Sequence, residues 1–119
     1  MKLLIVDDAK LIHFLVKKIL TAKEITDITY ADAYNGQEAV DLIDTFQPDL
    51  VLLDVVMPEK DGIAALKEIK EKSPRTNVIM VSSLGTEDKV SEAIKLGANA
   101  FIQKPFDEDE LANHVQNSI

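Results

Sequence analysis

The chain has 119 residues, 46% of them hydrophobic and 29% charged, which suits one globular domain with a core of useful size. Its net charge of −8 argues against a basic face for nucleic acid or anionic membrane, and without cysteine it has neither disulfides nor zinc thiolate sites. No apolar stretch approaches membrane-spanning length and the N-terminus carries no signal-peptide pattern, so a cytoplasmic protein without membrane insertion is expected.

The first predicted element is a strand, Leu3-Leu4-Ile5-Val6, apolar throughout and β-branched at its end, which stops at Asp7 and Asp8. A helix is predicted over Lys10–Thr21, with Ile12, Leu15, Val16, Ile19 and Leu20 on one face. Leu11 and Phe14 fall off that stripe, three residues apart, on the side expected to be exposed. A weaker strand follows over Ile28–Ala33, then a helix over Gln37–Phe46 that starts after Asn35-Gly36 and ends at Gln47-Pro48. The third strand, Leu50–Leu53, is apolar at every position, as a strand covered on both faces should be, and it stops at Asp54.

Val55-Val56-Met57-Pro58 and Asp61-Gly62 lead into a helix through Lys72, with Ile63, Leu66 and Ile69 facing the core and Ser73-Pro74 closing it. Val78–Val81 is the fourth strand. Thr86 caps a helix running to Leu96, with Val90, Ala93 and Ile94 inward and Gly97 as its stop. Ala100–Ile102 is the fifth strand, Lys104-Pro105-Phe106 a loop, and Asp107 the cap of a last helix that carries Leu111 and Val115. The acidic run Asp107–Glu110 reads as a solvated helix start, and His13 and His114 read as surface or rim residues.

Strands alternating with helices, five of each, imply an α/β doubly wound parallel sheet covered on both sides. Crossovers are then right-handed and ligands bind beyond the carboxyl ends of the strands. No linker or repeat interrupts residues 1–119, so one domain is expected.

Every unusual polar residue follows a strand: Asp7 and Asp8 the first, Asp54 the third, Ser82 the fourth and Lys104 the fifth. Such carboxylates resist ionising together unless a cation joins them, and hard oxygen ligands suit Mg²⁺. An ammonium and a small hydroxyl beside them make a site for phosphoryl chemistry, in which one carboxylate can act as nucleophile and give an aspartyl phosphate. Read alone, Asp7-Asp8 could instead cap the first helix, Ser82 could bond locally like its neighbour Ser83, and Asp54 could be an ordinary loop aspartate.

Taken together, Asp7-Asp8, Asp54-Val55-Val56-Met57-Pro58, Asp61-Gly62, Ser82 and Lys104-Pro105-Phe106 resemble the receiver domain of bacterial response regulators, most of all the single-domain chemotaxis-type members. The resemblance spans nearly the whole chain in the family's order. It implies a flavodoxin-like sheet of order 2-1-3-4-5. It also implies that Asp54 accepts a phosphoryl group from a phosphohistidine on a sensor histidine kinase or phosphotransfer protein. By the same likeness Asp8, Asp54 and the main-chain carbonyl of Val56 ligate Mg²⁺ directly, with Asp7 mainly through water.

Ser82 would move to bond the phosphoryl group, Phe101 would rotate inward behind it, and Lys104 would pair with the carboxylate or a phosphoryl oxygen. The Lys104–Pro105 bond is expected to be cis. The family's phosphodonor grips the first helix, which makes Leu11 and Phe14 a candidate docking pair. The output is expected through the face of the fourth helix, fifth strand and fifth helix, from a monomer or a phosphorylation-dependent dimer that does not itself bind nucleic acid. The chain is then a stand-alone regulator, with chemotaxis as one setting, or a receiver cut from a longer protein with a DNA-binding or catalytic output.

Three departures from the family pattern stand out. Phe101 replaces a common tyrosine, so any switch there rests on packing alone, and Lys60 stands where an apolar residue is frequent. Val56 and Leu84, two residues beyond Asp54 and Ser82, are both apolar and should hinder attacking water, which predicts slow self-dephosphorylation. Rival readings are weaker. A Mg²⁺-dependent phosphohydrolase with an aspartate nucleophile usually needs a general acid where Val56 stands, and a dinucleotide site needs a Gly-rich loop after the first strand. A binding module independent of phosphorylation would not need the full acidic set with Lys104.

Overall fold

The apolar runs become five short parallel strands: β1 (Lys2–Val6), β2 (Thr29–Ala33), β3 (Leu50–Leu53), β4 (Asn77–Ser82) and β5 (Ala100–Gln103). They form one sheet in the order β2-β1-β3-β4-β5 in a computed structural model that describes residues 1–57, 59–83 and 85–118. The helices between them are α1 (Lys10–Ala22), α2 (Gly36–Phe46), α3 (Gly62–Lys72), α4 (Glu87–Lys95) and α5 (Glu108–Asn117). Among the described residues no helix is long and apolar enough to cross a membrane.

Alternation along the strands sorts their side chains into two apolar layers. Leu4, Val6, Val51, Leu53, Val78 and Met80 face α2, α3 and α4 through Val40, Ile43, Leu66, Ile69 and Ala93. Leu3, Ile5, Leu50, Leu52, Ile79 and Val81 face α1 and α5 through Val16, Leu20, Leu111 and Val115. Because β1, β3 and β4 are covered on both faces, their sequences are continuous apolar runs, whereas the edge strand β2 is mostly half-buried and more polar.

Four of the five helices begin at a side-chain cap, two of them, at Thr86 and Asp107, as the sequence suggests. Asn35 accepts from the Glu38 N–H, Asp61 from Ala64, Thr86 from Lys89 and Asp107 from Asp109. The exception is α1, whose N-cap is Ala9 and which has no side-chain cap. Gly97 takes φ +103° just past α4, the left-handed conformation that glycine adopts at a helix end.

One packing expectation is corrected. Ile94 does not face inward: it is 48% exposed, and Ala93 is the residue of α4 that is buried against the sheet. Helical spacing near Val90 admits two stripes, and the small Ala93 lets the helix lie close to the sheet while Ile94 turns outward.

Register places the polar residues. Val6 pairs with Leu53 and Leu53 with Met80, so the residues that follow β1 and β3 emerge side by side. The Asp54 N–H donates to the Val6 carbonyl at 3.0 Å and the Asp7 N–H to the Ala33 carbonyl at 3.1 Å, so the ladder continues into the loops. Ser82 and Gln103 pair at the ends of β4 and β5, and the Lys104 N–H donates to the Ser82 carbonyl at 2.9 Å.

Candidate functional site

At the carboxyl edge of the sheet, Asp7, Asp8 and Asp54 each bring one oxygen to within 4.8 Å of the others. Asp7 and Asp54 are buried and Asp8 is exposed. The Lys104 ammonium lies 2.5 Å from Asp7 Oδ2 and 3.6 Å from Asp54 Oδ2, so it leans toward Asp7. It comes from the loop after β5, where the Lys104–Pro105 bond is cis as the sequence suggested.

Burial pushes the Asp54 carboxyl above its ordinary range. Lys104 opposes this, the Asp7 charge reinforces it, and the Val56 N–H and the Ser82 hydroxyl act with Lys104. The Val56 N–H reaches Asp54 Oδ1 at 3.4 Å, while Asp7 Oδ1 accepts from the Ala9 N–H at 2.9 Å. Ser82 is fully buried at the end of β4. Among the described residues, three clustered carboxylates, two of them buried, thus have one ammonium beside them, paired with Asp7 and Asp54, and the donors are hard oxygens. The set therefore fits a hard divalent cation such as Mg²⁺. The helix-cap reading of Asp7-Asp8 fails, because Ala9 holds the cap position and Asp8 makes no cap bond.

The loop from Asp54 to α3 is fixed by close backbone approach. The Gly62 N–H donates to the Val55 carbonyl at 2.7 Å, and a Cβ on Gly62 would stand 1.9 Å from the Asp54 carbonyl oxygen. Gly36 donates to the Lys60 carbonyl at 3.1 Å and would clash with it at 2.1 Å if it carried a Cβ. The turn that follows Asp54 therefore depends on glycine at both places.

The model of the response regulator receiver domain matches residues 3–116. The chain belongs to that family. It is 42% identical over 118 residues to the chemotaxis protein CheY of Listeria monocytogenes, a match that covers 99% of this chain and 98% of that protein. It is 40% identical over 118 residues to CheY of Bacillus subtilis, covering 99% of this chain and 97% of that one. Among solved structures it is similar to CheY in the CheX–CheY–BeF3–Mg²⁺ complex of Borrelia burgdorferi, at TM-score 0.90 and 34% identity, covering 98% of this chain and 87% of that one.

Around the acidic centre of this receiver the other candidates are spread out. Phe101, paired with Met80, is half-buried against the layer formed with α2–α4. Val56 is 53% exposed at the rim, and Leu84, with Pro58, lies outside the described residues. Leu11 and Phe14 are not drawn into the centre: they are 64% and 61% exposed on α1. Lys60 pairs with Glu68 on α3, which accounts for a charge where an apolar residue is frequent.

His13 is a correction. It is buried, not a surface or rim residue. One ring nitrogen, Nδ1, lies 2.7 Å from Asp32 Oδ1 and the other, Nε2, lies 2.8 Å from the Asp7 main-chain carbonyl. Asp32 also accepts from Lys17 Nζ at 2.9 Å, and the Tyr34 ring packs 4.5 Å from the imidazole. Burial would raise the Asp32 carboxyl, but the Lys17 and His13 hydrogen bonds and charges outweigh it and hold the carboxyl below its ordinary range. A main-chain carbonyl can only accept, so His13 Nε2 donates to Asp7. The sequence did carry a signal: His13, Val16 and Leu20 fall at i, i+3 and i+7, on the buried side of α1.

Proposed function

We propose that this receiver is a phosphorylation-controlled switch in which Asp54 accepts a phosphoryl group from a phosphohistidine on a sensor histidine kinase or a histidine phosphotransfer protein. The observation that supports this best is a buried Asp54 beside Asp7, Asp8 and Lys104 at the edge where β1 and β3 end. In the transfer, an Asp54 oxygen bonds phosphorus as the bond from phosphorus to imidazole nitrogen breaks and the imidazole leaves.

Mg²⁺ held by Asp8, Asp54, the Val56 carbonyl and, through water, Asp7 would supply positive charge to the phosphoryl oxygens. Lys104 offers its ammonium to the same oxygens and Ser82 its hydroxyl. Phe101 rotates inward behind Ser82, and the face of α4, β5 and α5 carries the change to a downstream protein. The likeness to CheY proteins supports a chemotaxis pathway in the cytoplasm. Incubation with Mg²⁺ and acetyl phosphate, followed by intact-mass measurement, tests the core of this reading. Wild type should gain one phosphoryl group and Asp54→Ala none; an adduct on both removes Asp54 as acceptor.

Leu11 and Phe14 are the proposed docking pair for the protein phosphodonor. Changing both to Ser should slow transfer from that protein and spare phosphorylation by acetyl phosphate; equal slowing of both routes defeats it. Val56 and Leu84, both apolar, should keep water from the phosphoryl group. If Val56→Asn with Leu84→Glu leaves the decay of the phosphoprotein in Mg²⁺ unchanged, that role is lost.

A further inference from the structure

The β1–α1 loop carries two of the three carboxylates, yet the helix that follows it has no capping side chain. The aspartates are spared that duty, and the loop needs another anchor. Asp7 provides it: besides the Lys104 ammonium on its Oδ2 at 2.5 Å, three further hydrogen bonds hold the residue. Its N–H donates to the Ala33 carbonyl at 3.1 Å, its Oδ1 accepts from the Ala9 N–H at 2.9 Å, and its carbonyl accepts from His13 Nε2 at 2.8 Å. The first is the sheet ladder and the second is local to the loop. The third comes from a side chain one turn into α1 and, unlike the Lys104 bond to the Asp7 carboxylate, it grips the main chain.

That imidazole cannot drift. Its Nδ1 is held at 2.7 Å by Asp32 of β2, which Lys17 holds in turn from the next turn of α1. Tyr34 covers the ring face. The chain Lys17–Asp32–His13–Asp7 thus ties α1 and β2 to the one peptide from which both metal-facing aspartates project.

We propose that His13 is a positioning residue for the acidic centre: by gripping the Asp7 carbonyl it sets the direction in which Asp7 and Asp8 present their carboxylates to Mg²⁺. The proposal rests on the Mg²⁺ reading of the site. Asp32 acts at one further remove, through His13, so its loss should matter less.

Calorimetric titration with Mg²⁺ alone, on the unphosphorylated chain, reads this directly. His13→Phe keeps an aromatic ring and removes both hydrogen bonds; it should weaken Mg²⁺ binding about tenfold, or ~1.4 kcal/mol. His13→Gln, milder should the first variant not fold, carries its donors on one nitrogen where His13 has two apart, so it keeps one of the two contacts and should lose roughly threefold, as should Asp32→Asn. Val115→Ala, which opens a cavity in the same apolar layer from α5, serves as the control for destabilisation. It should lower the unfolding temperature and leave Mg²⁺ affinity unchanged. Wild-type affinity in His13→Phe and His13→Gln, or an equal loss in Val115→Ala, overturns the proposal. Failure of wild type itself to bind Mg²⁺ would instead remove the metal reading on which it stands.

Discussion

Two ionic clusters meet at Asp7, and their charge balance is opposite. In one, among the described residues, three carboxylates share a single ammonium that pairs with two of them. In the other, a single carboxylate, Asp32, faces both His13 and Lys17. The consequence is visible in the two central aspartates: burial holds the Asp54 carboxyl above its ordinary range, whereas Lys17 and His13 hold that of Asp32 below it. A cluster complete in itself stabilises the fold. A cluster with excess negative charge stores an unmet demand for a cation, which is what a metal and phosphoryl site requires.

The sharpest way to break this contrast is to neutralise each aspartate in turn. Asp54→Asn should abolish the phosphoryl adduct and, in metal-free buffer, raise the melting temperature by on the order of 3 °C, because it removes a buried charge whose burial outweighs the help of Lys104, the Val56 N–H and Ser82. Asp32→Asn should do the reverse. It leaves His13 and Lys17 without their anion and should cost about 2 kcal/mol in a urea unfolding experiment, while acetyl phosphate still labels it at saturating Mg²⁺. If both substitutions shift stability in the same direction, the two clusters do not differ in the way described.

Acid titration sharpens the same comparison, because the two groups act in different pH windows. Asp54, with its folded value raised above 3.8, withholds no stability in acid and withholds it progressively as pH rises from 3.8 through the folded value. Asp32, with its folded value depressed below 3.8, contributes stability that is complete above 3.8 and lost as pH falls through the folded value. Urea midpoints of the two variants and wild type between pH 7 and 3 should therefore converge in sequence. The advantage of Asp54→Asn should vanish first, and the deficit of Asp32→Asn should persist to lower pH.

The two clusters were not equally legible. Asp7, Asp8, Asp54, Ser82 and Lys104 each stand within two residues of the end of an apolar run, so a parallel sheet brings them to one edge whatever the details of its loops. The caps Thr86 and Asp107 were legible for a similar reason, since a short polar side chain before a helical pattern has one local task. His13 was misread because neither of its partners leaves a local mark. One is a main-chain carbonyl, and the other is a carboxylate on β2, 19 residues further along the chain. Ile94 was misread because apolar spacing alone does not say which of two neighbouring stripes meets the sheet, and the small Ala93 decided it.

The smallest expected effect separates the two side chains that hold Asp32. Lys17 is partly exposed, with its ammonium 2.9 Å from Asp32 Oδ2 and 5.4 Å from the centre of the Tyr30 ring. His13 is buried, 2.7 Å from the other oxygen. Solvent and salt weaken the first pair far more than the second. Lys17→Met should therefore cost only about 0.5 kcal/mol in low salt, and that cost should fade toward zero in ~1 M NaCl, where the screening length is about 3 Å. Its Mg²⁺ affinity should stay at the wild-type level, because Asp32 still holds His13 and His13 still holds the Asp7 carbonyl. A loss of Mg²⁺ affinity in Lys17→Met that survives high salt would mean that the lysine, and not the buried histidine, keeps the acidic loop in place.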